Sequence, residues 1–145
     1  MDIDYDALEK AYAIIEEFRK IDEKMPIQQV AVFLTIAMNE NISQKDIAEI
    51  TGMGQGSTSR NVAAFLKLNR FKKPGFDLVE NEPDPMELRV KKHRLNTKGK
   101  RIAQSIANII NSYRKSDPMV DLKENKDLTK IQDDLDQSSK IKQTQ

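Results

Sequence analysis

A mainly α-helical fold with one small β-hairpin is predicted by three features of this 145-residue sequence. Apolar residues recur at three- and four-residue steps through most of the first 70 positions, which is helical spacing. Residues 43 to 61 then read as two short helices broken at a glycine. After Lys72-Lys73-Pro74-Gly75 the period changes from helical to extended, with two short alternating runs around a proline-rich turn.

The elements follow in order. Asp4 can cap a first helix bearing Tyr5, Leu8, Tyr12, Ile15, Phe18 and Ile21, a spacing that predicts one buried face. Pro26 suits the first turn of a second helix, where its missing amide costs nothing. Ile27, Val30, Phe33, Leu34, Ala37 and Met38 make this the most hydrophobic stretch, the core helix, and Asn39 to Asn41 break it. Ser43 can accept a hydrogen bond from the amide three residues on while Asp46 reaches back, a capping-box start followed by Ile47, Ala48 and Ile50. Gly52 fits the stop, since glycine tolerates the left-handed backbone that commonly follows a helix. A second apolar face of Val62, Phe65 and Leu66 belongs to the partner helix, about 55 to 68, and the pair ends near Leu68 to Phe71.

Phe76 to Val79 and Glu87 to Lys91 then read as hairpin strands joined by a tip at Asn81 to Pro85. In the second strand Leu88 and Val90 would share one side, and Arg89, Lys91 and His93 the other. A hairpin directly behind a helix-turn-helix is a wing, so the fold class is a winged helix-turn-helix. Thr97 or Asn96 caps a last helix carrying Ile102, Ile106, Ile109 and Ile110 and ending near Arg114. Residues 1–115 are thus expected to form one domain with packing or dimerisation helices at both ends. Residues 116–145 are polar. Disorder is the favoured reading for them, against a marginal Leu128, Ile131, Leu135 helix that forms on a partner.

The net charge of +1 hides an asymmetry. Residues 1–40 carry four basic and nine acidic groups, residues 41–101 thirteen and seven, and residues 102–145 seven of each. A phosphate backbone responds to local charge, because exposed charges are screened beyond about 10 Å. The same excess also describes a solvated lysine-rich surface. There is no cysteine, hence no disulfide and no thiolate metal site, and no apolar run reaches the roughly 20 residues of a membrane span. With an acidic N-terminus and no basic, hydrophobic leader, the expectation is a cytoplasmic protein, nucleoid-associated when bound to DNA. His93, the one histidine, lacks metal-ligating neighbours and reads as a phosphate-facing or exposed imidazole. No nucleophile and base set, catalytic carboxylate pair or phosphate-binding glycine motif is present, so neither enzymatic activity nor a cofactor or metal is expected.

Residues from about Pro26 to Ile106 resemble the winged helix-turn-helix domain of the MarR (multiple-antibiotic-resistance regulator) family. The resemblance rests on Ile47-Ala48-Glu49-Ile50, Gly52, Ser57-Thr58-Ser59-Arg60 and Leu95-Asn96-Thr97-Lys98-Gly99, the last similar to a Leu-Thr-x-x-Gly run behind the wing. It implies a DNA-binding regulator with a small-molecule pocket between dimer helices and DNA-binding lobe. The family's wing often carries Asp-x-Arg at its tip, the arginine entering the minor groove. Here Pro85, Met86 and Glu87 follow Asp84, so tip insertion is not expected. Gly54 stands where the family has a serine, and a polar tail replaces its long final helices.

The N-terminal residues of a helix in the major groove meet base edges, which makes Gln55, Ser57, Ser59, Arg60 and Asn61 the candidates for base contact, with Thr58 and Val62 turned inward. Arg60 leads, since arginine can donate two parallel bonds to guanine; the alternative for it is a structural salt bridge. Ser43, Lys45, Lys67, Lys72 and Lys73, with Arg89, Lys91, Lys92, His93 and Arg94 of the wing (residues 76–94), are candidates for phosphate or minor-groove contact. The expected function is a sequence-specific double-stranded DNA-binding transcriptional regulator, homodimeric through the Tyr5–Ile21 and Ile102–Tyr113 helices. The alternatives are a winged-helix adaptor whose tail binds a protein partner, and a non-specific or replication-associated DNA-binding protein.

Overall fold

The computed structural model describes residues 1–112. Tyr113, the end of the last helix and the 116–145 tail lie outside the described residues. The chain divides into two compact units, Leu8–Asn111 and a second made of Met1–Ala7 with Ser112–Gln145. In the latter, the Ala7 amide donates to Asp4 Oδ1 at 3.0 Å, the expected cap of the first helix.

Among the described residues the elements are α1 (Tyr5–Arg19), α2 (Ile27–Met38), β1 (Ile42–Ser43), α3 (Gln44–Thr51), α4 (Gln55–Phe65), β2 (Val79–Pro83), β3 (Lys91–Leu95) and α5 (Thr97–Asn111). The three strands form an antiparallel sheet in the order β1-β3-β2. This is a winged helix-turn-helix.

A row of rings runs through the interior. Phe18 of α1 packs edge-on against Phe33 of α2 at 5.6 Å between centroids, Phe33 against Phe65 of α4 at 5.8 Å, and Phe65 against Phe76 at 5.8 Å. Val32, Ile36, Ile47, Val62, Leu78, Val79 and Ile106 complete the core around it. Two expected faces are rotated. On α1 only Phe18 is buried and Ile21 half-buried, while Leu8, Tyr12 and Ile15 are exposed, because Ile14 and Phe18 form the seam toward α2. On α2, Val32 and Ile36 accompany Phe33 inward, whereas Ile27 and Met38 face out.

The helix-turn-helix closes as its local signals dictate. The Asp46 amide donates to Ser43 Oγ at 3.1 Å, and Gly52, at φ 72°, ends α3 in the left-handed conformation. Ile47 and Ala48 are buried, but Ile50 is exposed. The α4 helix stops at Phe65, short of the expected Leu68 to Phe71. The returning chain supplies the reason: the amides of Gly75, Phe76 and Leu78 donate to the carbonyls of Lys67, Ala64 and Phe65, taking up acceptors that another helical turn would have used.

The hairpin lies later in the chain than its alternation suggested. Its strands pair Val79 with Leu95 and Pro83 with Lys91, so the tip is 84–90 rather than Asn81 to Pro85. Strand β1 had no counterpart in the sequence pattern; Ile42 and Ser43 pair with His93 and Lys92. Behind the wing, Asn96 caps α5: its Oδ1 accepts from the Gly99 amide at 2.9 Å, and its Nδ2 donates to the Asp77 carbonyl at 2.8 Å. One residue run thereby ties the start of β2 to the start of α5.

Candidate nucleic-acid interface

The α4 helix has two faces. Thr58, Val62 and Phe65 are buried at its back, as expected for the first two, and Gln55, Ser59 and Arg60 are exposed at its front. Ser57 and Asn61 are half-buried, with Asn61 Nδ2 donating to Ser57 Oγ at 3.4 Å and lying 3.6 Å from Met53 Sδ. Arg60 has no ion pair or hydrogen bond among the described residues, which removes the salt-bridge alternative there. Gly54 precedes the helix without a side-chain cap, so the first-turn amides stay open at the positive end of the helix dipole.

A groove of about 590 Å³ lies beside this face. Ser59, Val62 and Ala63 of α4 line it, as do Asp84, Glu87 and Arg89 of the wing. Ser43, Lys45, Lys91, Lys92 and His93 also contribute to its surface. It therefore brings together six of the candidate phosphate-contacting residues with one candidate base-contacting serine. Lys67, Lys72 and Lys73 do not join them. They are exposed on the loop after α4, which the Asn69 side chain braces by accepting from the Phe71 and Lys73 amides at 2.9 and 3.1 Å.

Two wing expectations require correction. Val90 donates its amide to the Glu87 carbonyl, so Glu87 to Val90 is a turn and strand alternation restarts at Lys91. His93 and Leu95 consequently point inward, and Leu88 is exposed. His93 is 3% exposed, not a surface imidazole, and its Nδ1 donates to the Ile42 carbonyl at 3.2 Å. Burial lowers its pKa from the ordinary value; the bond to Ile42 opposes this and the nearby Lys91 charge adds to it.

Arg94 is the second correction, because its charge is already engaged. Its Nε and Nη1 reach Glu80 and Glu82 at 2.8 and 2.5 Å, and both interactions raise its pKa. Lys92 Nζ lies 3.7 Å from Asp84. Arg89 and Lys91 are the wing cations left exposed without an ion pair among the described residues. Met86 and Leu88, not among the expected site residues, stand exposed at the tip; two apolar residues in a charged turn were the available signal. No group of His, Asp or Glu among the described residues is placed to hold a metal ion, and no helix among them is long and apolar enough to cross a membrane.

No family model matches the sequence, and no curated protein matches it. Solved structures do. The S. aureus MepR–DNA complex is similar with a TM-score of 0.60 at 16% identity, over 90% of this chain and 93% of that one. The PcaV transcriptional regulator from Streptomyces coelicolor gives 0.51 at 18% identity, over 72% and 71%. A mutant MarR from E. coli complexed with operator DNA gives 0.50 at 16% identity, over 77% and 80%. The fold is MarR-like.

Proposed function

We propose that this chain is a sequence-specific double-stranded DNA-binding transcriptional regulator without enzymatic activity, reading the major groove with α4. The observation that carries this reading is the free Arg60 guanidinium beside Ser59 on the exposed face of α4, next to a groove whose cations outnumber its carboxylates. Ser59 and Gln55 share the base-reading face with Arg60, and the open first-turn amides favour a phosphate. Lys45, Arg89 and Lys91 hold the flanking backbone. Two of the similar structures, MepR and MarR, are DNA complexes, which supports the same partner here.

The regulator acts as a homodimer in the cytoplasm, joined through α1 and α5. Exposed Leu8, Tyr12 and Ile15 on α1 and Ile110 on α5 support that surface. Two-fold symmetry would set the recognition helices in successive major grooves, about 34–36 Å apart. Residues 1–115 suffice for this activity, with 116–145 an appendage.

Selection from a random duplex pool, with sequencing, tests the proposal on wild type, Arg60→Ala and a chain truncated after Lys115. Wild type and truncation should both enrich a two-fold symmetric motif that Arg60→Ala loses. Weak, salt-sensitive, unselective binding unchanged by Arg60→Ala would instead indicate a non-specific DNA-binding protein.

A further inference from the structure

Met86 and Leu88 project from the wing tip with relative exposures of 93% and 75%. The loop that carries them is built by its own hydrogen bonds. The Asp84 amide donates to the Val90 carbonyl at 2.7 Å, the Glu87 amide to the Asp84 carbonyl at 3.2 Å, and the Val90 amide to the Glu87 carbonyl at 2.9 Å. Asp84 Oδ1 also accepts from the Met86 amide at 2.8 Å, and Pro85 fixes its own φ. Little backbone freedom remains to be lost on binding, so the two side chains are presented in advance.

Their place relative to α4 determines what they can reach. The groove has α4 residues Ser59, Val62 and Ala63 among its lining together with Asp84, Glu87 and Arg89 of the tip. In a duplex one sugar–phosphate backbone separates the major groove from the neighbouring minor groove. With α4 in the major groove, that backbone lies in the protein groove beside Lys45, Arg89 and Lys91, and the tip stands over the minor groove on its far side. Apolar side chains entering a minor groove partly unstack a base step and kink the duplex.

We propose that Met86 and Leu88 form an apolar wedge that enters the minor groove beside each half-site and bends the DNA, an inference that rests on the recognition-helix reading of α4. Arg89 and Lys91 hold the phosphates flanking the wedge. Glu87 opposes entry by its charge. The preferred target is a flexible pyrimidine–purine step, where unstacking costs least.

The test uses the full chain and a duplex carrying the selected site, with 2-aminopurine placed in turn at each flanking step and a fluorophore pair at the ends. Wild type should raise the 2-aminopurine signal several-fold at one step per half-site and shorten the end-to-end distance. Met86→Ala combined with Leu88→Ala, both at exposed positions, should keep the motif, lose both signals and bind roughly tenfold more weakly, the balance of two buried side chains against one unstacked step. Glu87→Gln should keep the bend and tighten binding. Selective wild-type binding without unstacking, or a double variant equal to wild type, would overturn the wedge and leave the role of α4 intact. Failure of the wild type to select any motif would overturn both. Self-association of wild type without DNA, absent in the double variant, would assign the tip to a second copy of the chain and likewise overturn the wedge.

Discussion

Arg60 on α4 and Arg94 on β3 are both arginines of the basic middle segment, yet the fold treats them oppositely. Arg60 has no partner among the described residues, whereas Arg94 is held between Glu80 and Glu82 on the neighbouring strand. The contrast extends to the elements that carry them. In the helix-turn-helix each decision is made within a few residues, as when Ser43 caps α3 and Gly52 ends it. In the wing, cross-strand register decides which charges meet, placing Glu80 opposite Arg94 and Glu82 opposite Lys92. Counting cations along a chain therefore overstates what a hairpin offers a polyanion.

The largest effect is expected where the wing joins α5. A Cβ at Gly99 would lie 2.2 Å from the Leu78 carbonyl oxygen, a backbone atom that cannot step aside. Gly99→Ala should therefore cost at least about 3 kcal/mol, at the upper end of overpacking penalties, and lower the melting temperature in thermal denaturation by more than 10 °C by rough scaling. A melt within two or three degrees of wild type would mean that the Leu78 to Asn96 junction yields easily and the wing is not fixed from this side.

A smaller effect should follow from making the two arginines alike. Glu80→Gln with Glu82→Gln releases Arg94 and removes two negative charges from the wing. DNA binding measured across a salt series should tighten, and the slope of log affinity against log salt should steepen by about 0.9 for each further phosphate that the protein neutralises. An unchanged slope would show that Arg94 cannot reach a phosphate even when free.

The smallest effect concerns His93. Its folded pKa is lowered by burial, so the unfolded chain binds the proton more readily and stability rises with pH through this group. The contribution is complete above the unfolded value of about 6.5 and declines as pH falls through the folded value. Urea unfolding of wild type should weaken on acidification below that point more than His93→Asn does. Ile42 supplies the carbonyl facing the ring, and Lys91 is the nearby charge, which disfavours the imidazolium further. Parallel pH profiles for the two proteins would remove His93 as the source.

What the sequence disclosed follows the same division. The caps at Asp4 and Ser43, the stop at Gly52 and the inward turn of Thr58 and Val62 were legible because each depends on neighbours a few positions away. The hairpin register was not. It depends on a two-residue strand, Ile42–Ser43, too short to show alternation, and on burial of Val79 against Leu95. The misplaced tip inverted the parity of β3 and put His93 on the wrong face. The α4 helix was read too long because its last carbonyls are taken by a segment some ten residues onward. The candidate site was legible as a set of residue types; their sorting into free and engaged charges required the register.

The ring row from Phe18 to Phe76 also gives the protein an unusual optical character. The chain has no tryptophan, and its three tyrosines are Tyr5, Tyr12 and Tyr113, so phenylalanine and one histidine are the aromatic residues from position 13 to position 112. Tyrosine bands in near-ultraviolet circular dichroism therefore report on α1 and on position 113, while phenylalanine fine structure reports on the interior of the winged lobe. One unlabelled melt read at both bands resolves whether the first helix loosens before the lobe it packs against.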